Sequence, residues 1–570
     1  MLIGLSFAIL SLLGVVAAAA SGQTARVWAV YAYTINGETI PRVFPRSRAL
    51  TPYGAYQLHE AGSAFRGRYV SVKAGADGPD TRIENLSPYL VDNDDIKITS
   101  TPDVAVLASA QAFMQGVYPP LNESFNTTFF DNQLELADGS LISPPLGGYQ
   151  YPSIVTVGVE DPQSLMVSGQ ALCSRHAAAN LEYIASKEFW QTYEESAVFY
   201  NHLHTLSLSG HFDTKASSYA NATAIAEFLD YQVVHNESLL HSLSAEDIKR
   251  ARWYAGRYVF ATNGNTSASG TTVDGGIRTI AGQGLASSAL NAFETTIQNR
   301  GANGKMTLQF GNYQTAVSFT SLLQLATTSP NFTSSLPRPG SSLVLELFSL
   351  ESERYPTYPD PAQLYVRFLL HNGTRAEFVP YPLFGHGPSN TAIPFSEFQA
   401  EMQRMALGST EDWCRRCNSS AVFCSGVVKP LPRQSAASKA RKDRGGISAA
   451  VAGVIGSVVT IAVLALIGVV GFFLCLRTKR LRNPGLGGFK RDSKMASDSD
   501  LTFKNPQWGD AIKAPTASAK GHERHGSWEM KNKCPPRLVE QTVGSSSLAD
   551  ELEEEWDLHG TAPVRPREHV

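Results

Sequence analysis

The chain has 570 residues, with 51 acidic side chains against 48 basic ones, a net charge of −3 and 43% hydrophobic residues. A charge this near zero leaves no electrostatic footprint for nucleic acid. Two long apolar stretches in this mixed composition point instead to the secretory route and a membrane.

Residues 1–20 are apolar and end in Val-Val-Ala-Ala-Ala-Ala, which reads as a signal peptide cleaved near Ala18–Ser21. The basic flank usual in such leaders is missing, so an uncleaved anchor is the alternative. Val27-Trp-Ala-Val-Tyr-Ala-Tyr33 is apolar and β-prone, and the loop Thr34-Ile-Asn-Gly-Glu-Thr-Ile-Pro41 follows it. Thr51 before Pro52 is a good N-cap with proline at the first helical position, and Leu58, Ala61 and Phe65 then share one helical face. His59 on that helix reads as a surface histidine. Residues 121–290 change character, with helical patterns over Leu172–Tyr200 and Asn221–Tyr254 and few strand signals. Strands return in 291–425, notably Met306–Phe310, Leu343–Leu350 and Leu364–His371.

The pattern predicts an α/β core over 24–120 and 291–425, interrupted by a mainly helical cap over 121–290. The core is expected to hold a mostly parallel sheet flanked by helices. In such sheets a ligand site lies beyond the carboxyl ends of the strands, where Asn36 and Asn312 fall.

The order strand, short loop, Leu50-Thr-Pro-Tyr-Gly-Ala-Tyr-Gln57, helix resembles the start of the histidine acid phosphatases, the phytase-like branch of the histidine phosphatase superfamily. The family loop reads R-H-G-x-R-x-P, with a phosphoryl-accepting His and two phosphate-binding Arg. This chain keeps Gly37 and Pro41 but has Ile35, Asn36 and Thr39 at the Arg, His and Arg positions. A second stretch, Ser100-Thr-Pro-Asp-Val-Ala105 through Ser109-Ala110 to Gly116-Val-Tyr-Pro-Pro120, matches a family segment whose Arg position is Ala105. A third, Met306-Thr-Leu-Gln-Phe-Gly-Asn312-Tyr313, places Asn312 and Tyr313 where the family has His and the Asp that protonates the leaving group. The resemblance covers roughly 25–425 and implies the frame of a phosphatase without its reactive groups.

These losses act together. An amide cannot replace imidazole as a nucleophile toward phosphorus. A placed general acid is typically worth ~10²–10⁴-fold in rate, and a phenol with an ordinary pKa near ~10 serves poorly in that role. Transition-state charge in phosphoryl transfer is met by clamped positive groups, which Ile35, Thr39 and Ala105 do not supply. Arg42, Arg46 and Arg48 follow the loop and read first as a solvated basic face.

His202, His204, His211 and His386 read as structural or surface groups, and no metal or cofactor is expected. Cys173, Cys414, Cys417 and Cys424 form an even set. Trp413-Cys-Arg-Arg-Cys417 lacks both a thioredoxin-like setting and a second zinc ligand pair, so structural disulfides are expected, in any of three connectivities. This stretch also resembles the end of fungal membrane-anchored members of the family.

After a juxtamembrane linker over 426–446, residues 447–476 exceed the ~20 apolar residues that span a bilayer. Arg477-Thr-Lys-Arg-Leu-Arg482 then suits a cytoplasmic flank. The tail, 477–570, has the composition of a disordered segment. Sequons at Asn85, Asn122, Asn126, Asn221, Asn236, Asn265, Asn331, Asn372 and Asn418 all precede the span. The expectation is a single-pass type I membrane glycoprotein of the secretory pathway or plasma membrane. Its ectodomain would bind a small, for instance phosphorylated, ligand or a protein partner without phosphatase chemistry. The alternatives are an active acid phosphatase with an altered site and an adaptor that works through its tail.

Overall fold

The computed structural model describes residues 24–71, 81–121, 135–140, 142–266, 276–351, 357–374 and 376–427. The leader (1–20), the span (447–476), the tail (477–570), most of the linker (426–446), Asn122 and Asn126 lie outside these described residues. Among the described residues, no helix is long and apolar enough to cross a membrane.

The strands are β1 (Thr24–Ile35), β2 (Ile96–Ser100), β3 (Ile154–Thr156), β4 (Met306–Gly311), β5 (Ser342–Glu351), β6 (Leu364–His371), β7 (Phe378–Tyr381) and β8 (Ala392–Pro394). They form one sheet in the order β3-β2-β4-β1-β5-β6-β7, with β8 also paired to β6. Strands β3, β2, β4 and β1 run parallel. Strands β5 to β8 join by antiparallel pairing. The sheet is therefore mixed, which corrects the mostly parallel sheet read from the sequence. The physical reason lies in the connections. Only residues 372–377 join β6 to β7, too few for the crossover of about a dozen residues that parallel neighbours need.

Every residue from Val27 to Tyr33 is buried, as expected of a strand covered on both faces. The helices that cover the sheet or form the cap are α1 (Pro52–Phe65), α2 (Val104–Val117), α3 (Ser174–Ile184), α4 (Lys187–Leu203), α5 (Ala222–His235), α6 (Ala245–Asn263), α7 (Ile280–Gln298), α8 (Tyr313–Leu322), α9 (Phe395–Met405) and α10 (Thr410–Cys417). Thr51 Oγ1 caps α1 by accepting from the Gly54 N–H at 2.9 Å, and Pro52 opens the helix. Leu58, Ala61 and Phe65 are fully buried on one sheet face with Phe113 of α2. The two helices meet through glycine: a Cβ on Gly62 would lie 2.0 Å from the Phe113 carbonyl oxygen, and one on Gly116 would lie 2.1 Å from that of His59. The opposite face is covered by α7, α8 and α9 through Leu285, Ala289, Phe293, Phe319 and Phe398, packed on Tyr31 and Tyr33. Helices α3 to α6 hold a separate aromatic cluster that includes Tyr183, Phe189, Tyr200 and Phe228.

One polar group inside this core is conspicuous. His371, the last residue of β6, is fully buried against the rings of Phe65 and Phe378. Neither ring nitrogen has a hydrogen-bond partner among the described residues. Burial pushes its pKa down to about 4.

Candidate functional site

β1, β2 and β4 end side by side, with Ile35 opposite Gly311 and Ser100 opposite Phe310. Three segments leave from that edge: the loop after β1, the first turn of α2, and the start of α8. Backbone hydrogen bonds tie them together. The Asn36 N–H donates to the Gly311 carbonyl at 3.2 Å, and the Thr101 N–H to that of Phe310 at 3.3 Å. The Gly37 N–H donates to Ser109 Oγ at 3.1 Å, while Ser109 Oγ donates to the Ala105 carbonyl at 2.7 Å.

Glycine lets the loop lie on α1. A Cβ on Gly37 would come within 2.4 Å of the Gly54 carbonyl oxygen, and one on Gly54 within 2.2 Å of that of Glu38. The Glu38 N–H donates to Gln57 Oε1 at 3.0 Å, and Thr51 Oγ1 donates to Glu38 Oε2 at 2.6 Å.

The side chains at this edge are mostly closed to solvent. Ile35 is 3% exposed and belongs to the core, and Ala105 is 1% exposed in the first turn of α2. Asn36 is buried and donates its amide to the Gly37 carbonyl of its own loop at 2.8 Å. Thr39 Oγ1 accepts from Arg48 Nε at 3.3 Å. Asn312 precedes α8, and its carbonyl accepts from the Tyr33 hydroxyl at 3.0 Å. Tyr313 donates to Glu227 Oε1 at 3.2 Å. Burial raises the Tyr313 pKa first and Glu227 raises it further, with only partial relief from Arg48 and Arg42. All six sequence-selected positions thus sit around the ends of β1, β2 and β4, and Arg48 reaches them while Arg42 stays exposed.

The cap adds groups that sequence reasoning missed. Helix α5 sets Glu227 on Tyr313 and places His235 Nε2 at 2.6 Å from Glu38 Oε2. Burial raises the Glu38 pKa, offset in part by its bonds to His235 and Thr51. Glu38 and His235 are 197 residues apart, and no motif links them.

The remaining histidines lie elsewhere. His204 Nδ1 is 2.9 Å from Ser217 Oγ, His211 packs on Phe44 and Phe228, and His386 Nε2 is 2.8 Å from Glu397 Oε1. His202 lies 3.7 Å from Asp247. Among the described residues, no group of three or more His, Cys, Asp or Glu could hold a metal ion. The sequon residues Asn85, Asn331 and Asn418 are exposed, while Asn221, Asn236, Asn265 and Asn372 are half-buried. The cysteines pair as Cys173–Cys417 and Cys414–Cys424, which selects one of the three connectivities. The C-x-x-C pair therefore forms no bridge within itself, and Trp413 is buried beside both bridges.

Among solved structures, the chain is similar to the phytase of Klebsiella sp. ASR1, with 13% identity, a TM-score of 0.44, and 68% of this chain and 98% of that one covered. The phytase of D. castellii matches at 14% identity and a TM-score of 0.41, covering 70% and 82%. A multiple inositol polyphosphate phosphatase of Bifidobacterium longum, in complex with phosphate, matches at 11% and 0.36, covering 68% and 94%. No curated protein matches the chain. The family model described as histidine phosphatase superfamily (branch 2) matches residues 43–371. That span takes in Ala105, Asn312 and Tyr313 but begins after the loop at 35–41. The chain belongs to branch 2 of the histidine phosphatase superfamily.

Proposed function

We propose that this family member has given up phosphoryl transfer and works by binding. The observation that carries the reading is the Tyr313–Glu227 hydrogen bond at the end of β4. Where a leaving group would need a proton, the phenol is held protonated by burial and by a neighbouring carboxylate, so it is a weak acid. Beside it, Asn36 spends its amide on its own loop and offers no nucleophile. Arg48, bonded to Thr39, and Arg42 both act on the Tyr313 phenol electrostatically and would be the groups to meet a small anionic or phosphorylated ligand, with a protein partner as the second candidate. The test is phosphate release from an aryl phosphate by the purified full-length chain across pH 3–8. Release is expected at no more than a few parts in ~10⁵ of a competent relative, because nucleophile and acid are lost as a unit. Turnover at an ordinary enzyme rate would restore the alternative, a working acid phosphatase with an altered site.

The same proposal places the folded part in the lumen or outside the cell, on a type I membrane anchor. The support is the one-sided sequon distribution, the apolar span 447–476 and the cystines, which persist in oxidising compartments. Endoglycosidase should lower the mass of the chain by several glycans. Protease added to intact cells should leave 477–570 uncut on the cytoplasmic side, whereas protease added to sealed secretory-pathway vesicles should remove 477–570 and spare the lumenal part. Glycans found on the tail would reverse the orientation.

A further inference from the structure

Away from the site edge, β5 carries a fully buried carboxylate, Glu346, on the face packed by α1. It sits opposite Val30 of β1, five positions before the strand end at Ile35. Two arginines converge on it. Arg68, in the turn that continues α1, donates Nε to Oε1 at 2.9 Å, and Arg367 of β6 donates Nε to Oε2. The Tyr69 hydroxyl also donates to Oε1, at 2.6 Å. Burial alone would raise the Glu346 pKa, but the charges of Arg367 and Arg68 more than reverse that and hold the carboxyl below its usual range.

One carboxylate facing two guanidiniums leaves an excess positive charge, and these side chains are only 22% and 20% exposed. Toward the described residues, each guanidinium uses Nε alone. Their terminal nitrogens make no hydrogen bond to a described residue and are not shut away from solvent. The planes are also fixed: Arg68 lies over the Phe378 ring at 5.1 Å and the Tyr69 ring at 5.4 Å, and Arg367 lies over the Phe348 ring at 4.7 Å. A purely structural ion pair gains most when it uses the full two-pronged fork of arginine. Here the fork remains available, braced from behind by Glu346 and from the side by aromatic rings. Its ordering entropy is already spent, and partial burial weakens screening by salt.

We propose that Arg68 and Arg367, braced by Glu346, form a binding site for the phosphate group of a small soluble phosphate monoester, separate from the edge that carries Asn36 and Tyr313. The terminal nitrogens of both arginines take the phosphate oxygens in two-pronged hydrogen bonds, and the excess positive charge offsets the anion.

The probe is inorganic phosphate against chloride at matched ionic strength, followed with phenyl phosphate, on the full-length chain in detergent. Titration calorimetry should show saturable phosphate binding, and Arg367→Lys should weaken it about tenfold or more. A lysine ammonium committed to Glu346 keeps the buried charge paired but offers no fork. Arg68→Lys should act alike, with circular dichroism reporting whether each variant folds. A second measurement needs no variant: phosphate should protect Arg68 and Arg367 of the natural chain from phenylglyoxal more than Arg42 and Arg48. Equal protection of all four, protection of Arg42 and Arg48 alone, or unchanged binding in folded Arg367→Lys would overturn the proposal.

Discussion

Substituting Ile35→Arg, Asn36→His, Thr39→Arg, Ala105→Arg, Asn312→His and Tyr313→Asp together should make the melting temperature climb with vanadate concentration, and more steeply than in the natural protein. The reason is geometric. The hydrogen bonds from Asn36 to Gly311, from Thr101 to Phe310 and from Gly37 through the Ser109 hydroxyl to Ala105 already gather these positions at one edge. Ile35 and Ala105 are closed to solvent, so new guanidinium charge there would be desolvated and unpaired in the empty protein. Breaking up buried charge balance in this way typically costs ~3–5 kcal/mol. The empty variant should therefore melt well below the natural chain. A tetrahedral oxyanion that pairs with those charges restores stability by mass action, about 2.7 kcal/mol at a hundredfold excess over its dissociation constant. Melting curves of both chains with and without vanadate provide the check, independent of turnover. A folded variant whose anion-dependent shift is no larger than that of the natural chain would mean that the six positions do not form the family's phosphate pocket. An equal, non-zero shift in both chains would leave the Arg68–Arg367 proposal standing, because its residues are untouched.

The second large effect concerns acid. His371 is neutral in the folded chain down to about pH 4, whereas an unfolded chain takes up the proton near the ordinary value of 6.5. Between those values the unfolded state binds more protons, so stability rises with pH. The contribution is complete above pH 6.5 and is lost as pH falls through 4. Each pH unit between the two values is worth about 1.36 kcal/mol, so the loss across that window is about 3 kcal/mol. His371→Leu removes the titrating group and fills the same apolar niche between Phe65 and Phe378. Urea unfolding at about pH 7 and about pH 4.5, on either side of most of that window, should show a smaller acid loss in the variant than in the natural chain. Equal losses would locate the acid sensitivity elsewhere.

Features written in contiguous sequence were the legible ones. The buried run of β1 and the Thr51–Pro52 start of α1 carry their own signals, namely unbroken apolarity and a capping side chain. The strands β4, β5 and β6 were legible for the same reason. The mixed sheet was not, because strand direction depends on how long each connection is and where it returns, not on the apolar pattern within a strand. The cap contacts were hidden as well. Glu227 and His235 lie on the polar side of an ordinary amphipathic helix, and only folding brings them to Tyr313 and Glu38, 86 and 197 residues away. Glu346 had no local signal at all: a single acid within an apolar strand gains meaning only from Arg68 and Arg367, which come from other elements.

The two disulfides also fix how the fold bears mechanical load. Cys424 is bridged to Cys414 in α10, and one turn further along the same helix Cys417 is bridged to Cys173, 244 residues away at the start of α3. A pull on the chain beyond residue 427 would first meet a covalent loop and then, through α10, a second covalent bond into the cap. Tension therefore bypasses β7, β8 and α9, which a simple peeling from this end would strip from the sheet first. It enters instead beside Trp413, whose indole N–H donates to the Gly169 carbonyl at 2.7 Å. While both bridges are oxidised, the sheet is sheltered from tension on that end; once they are reduced, the same pull would unzip it strand by strand.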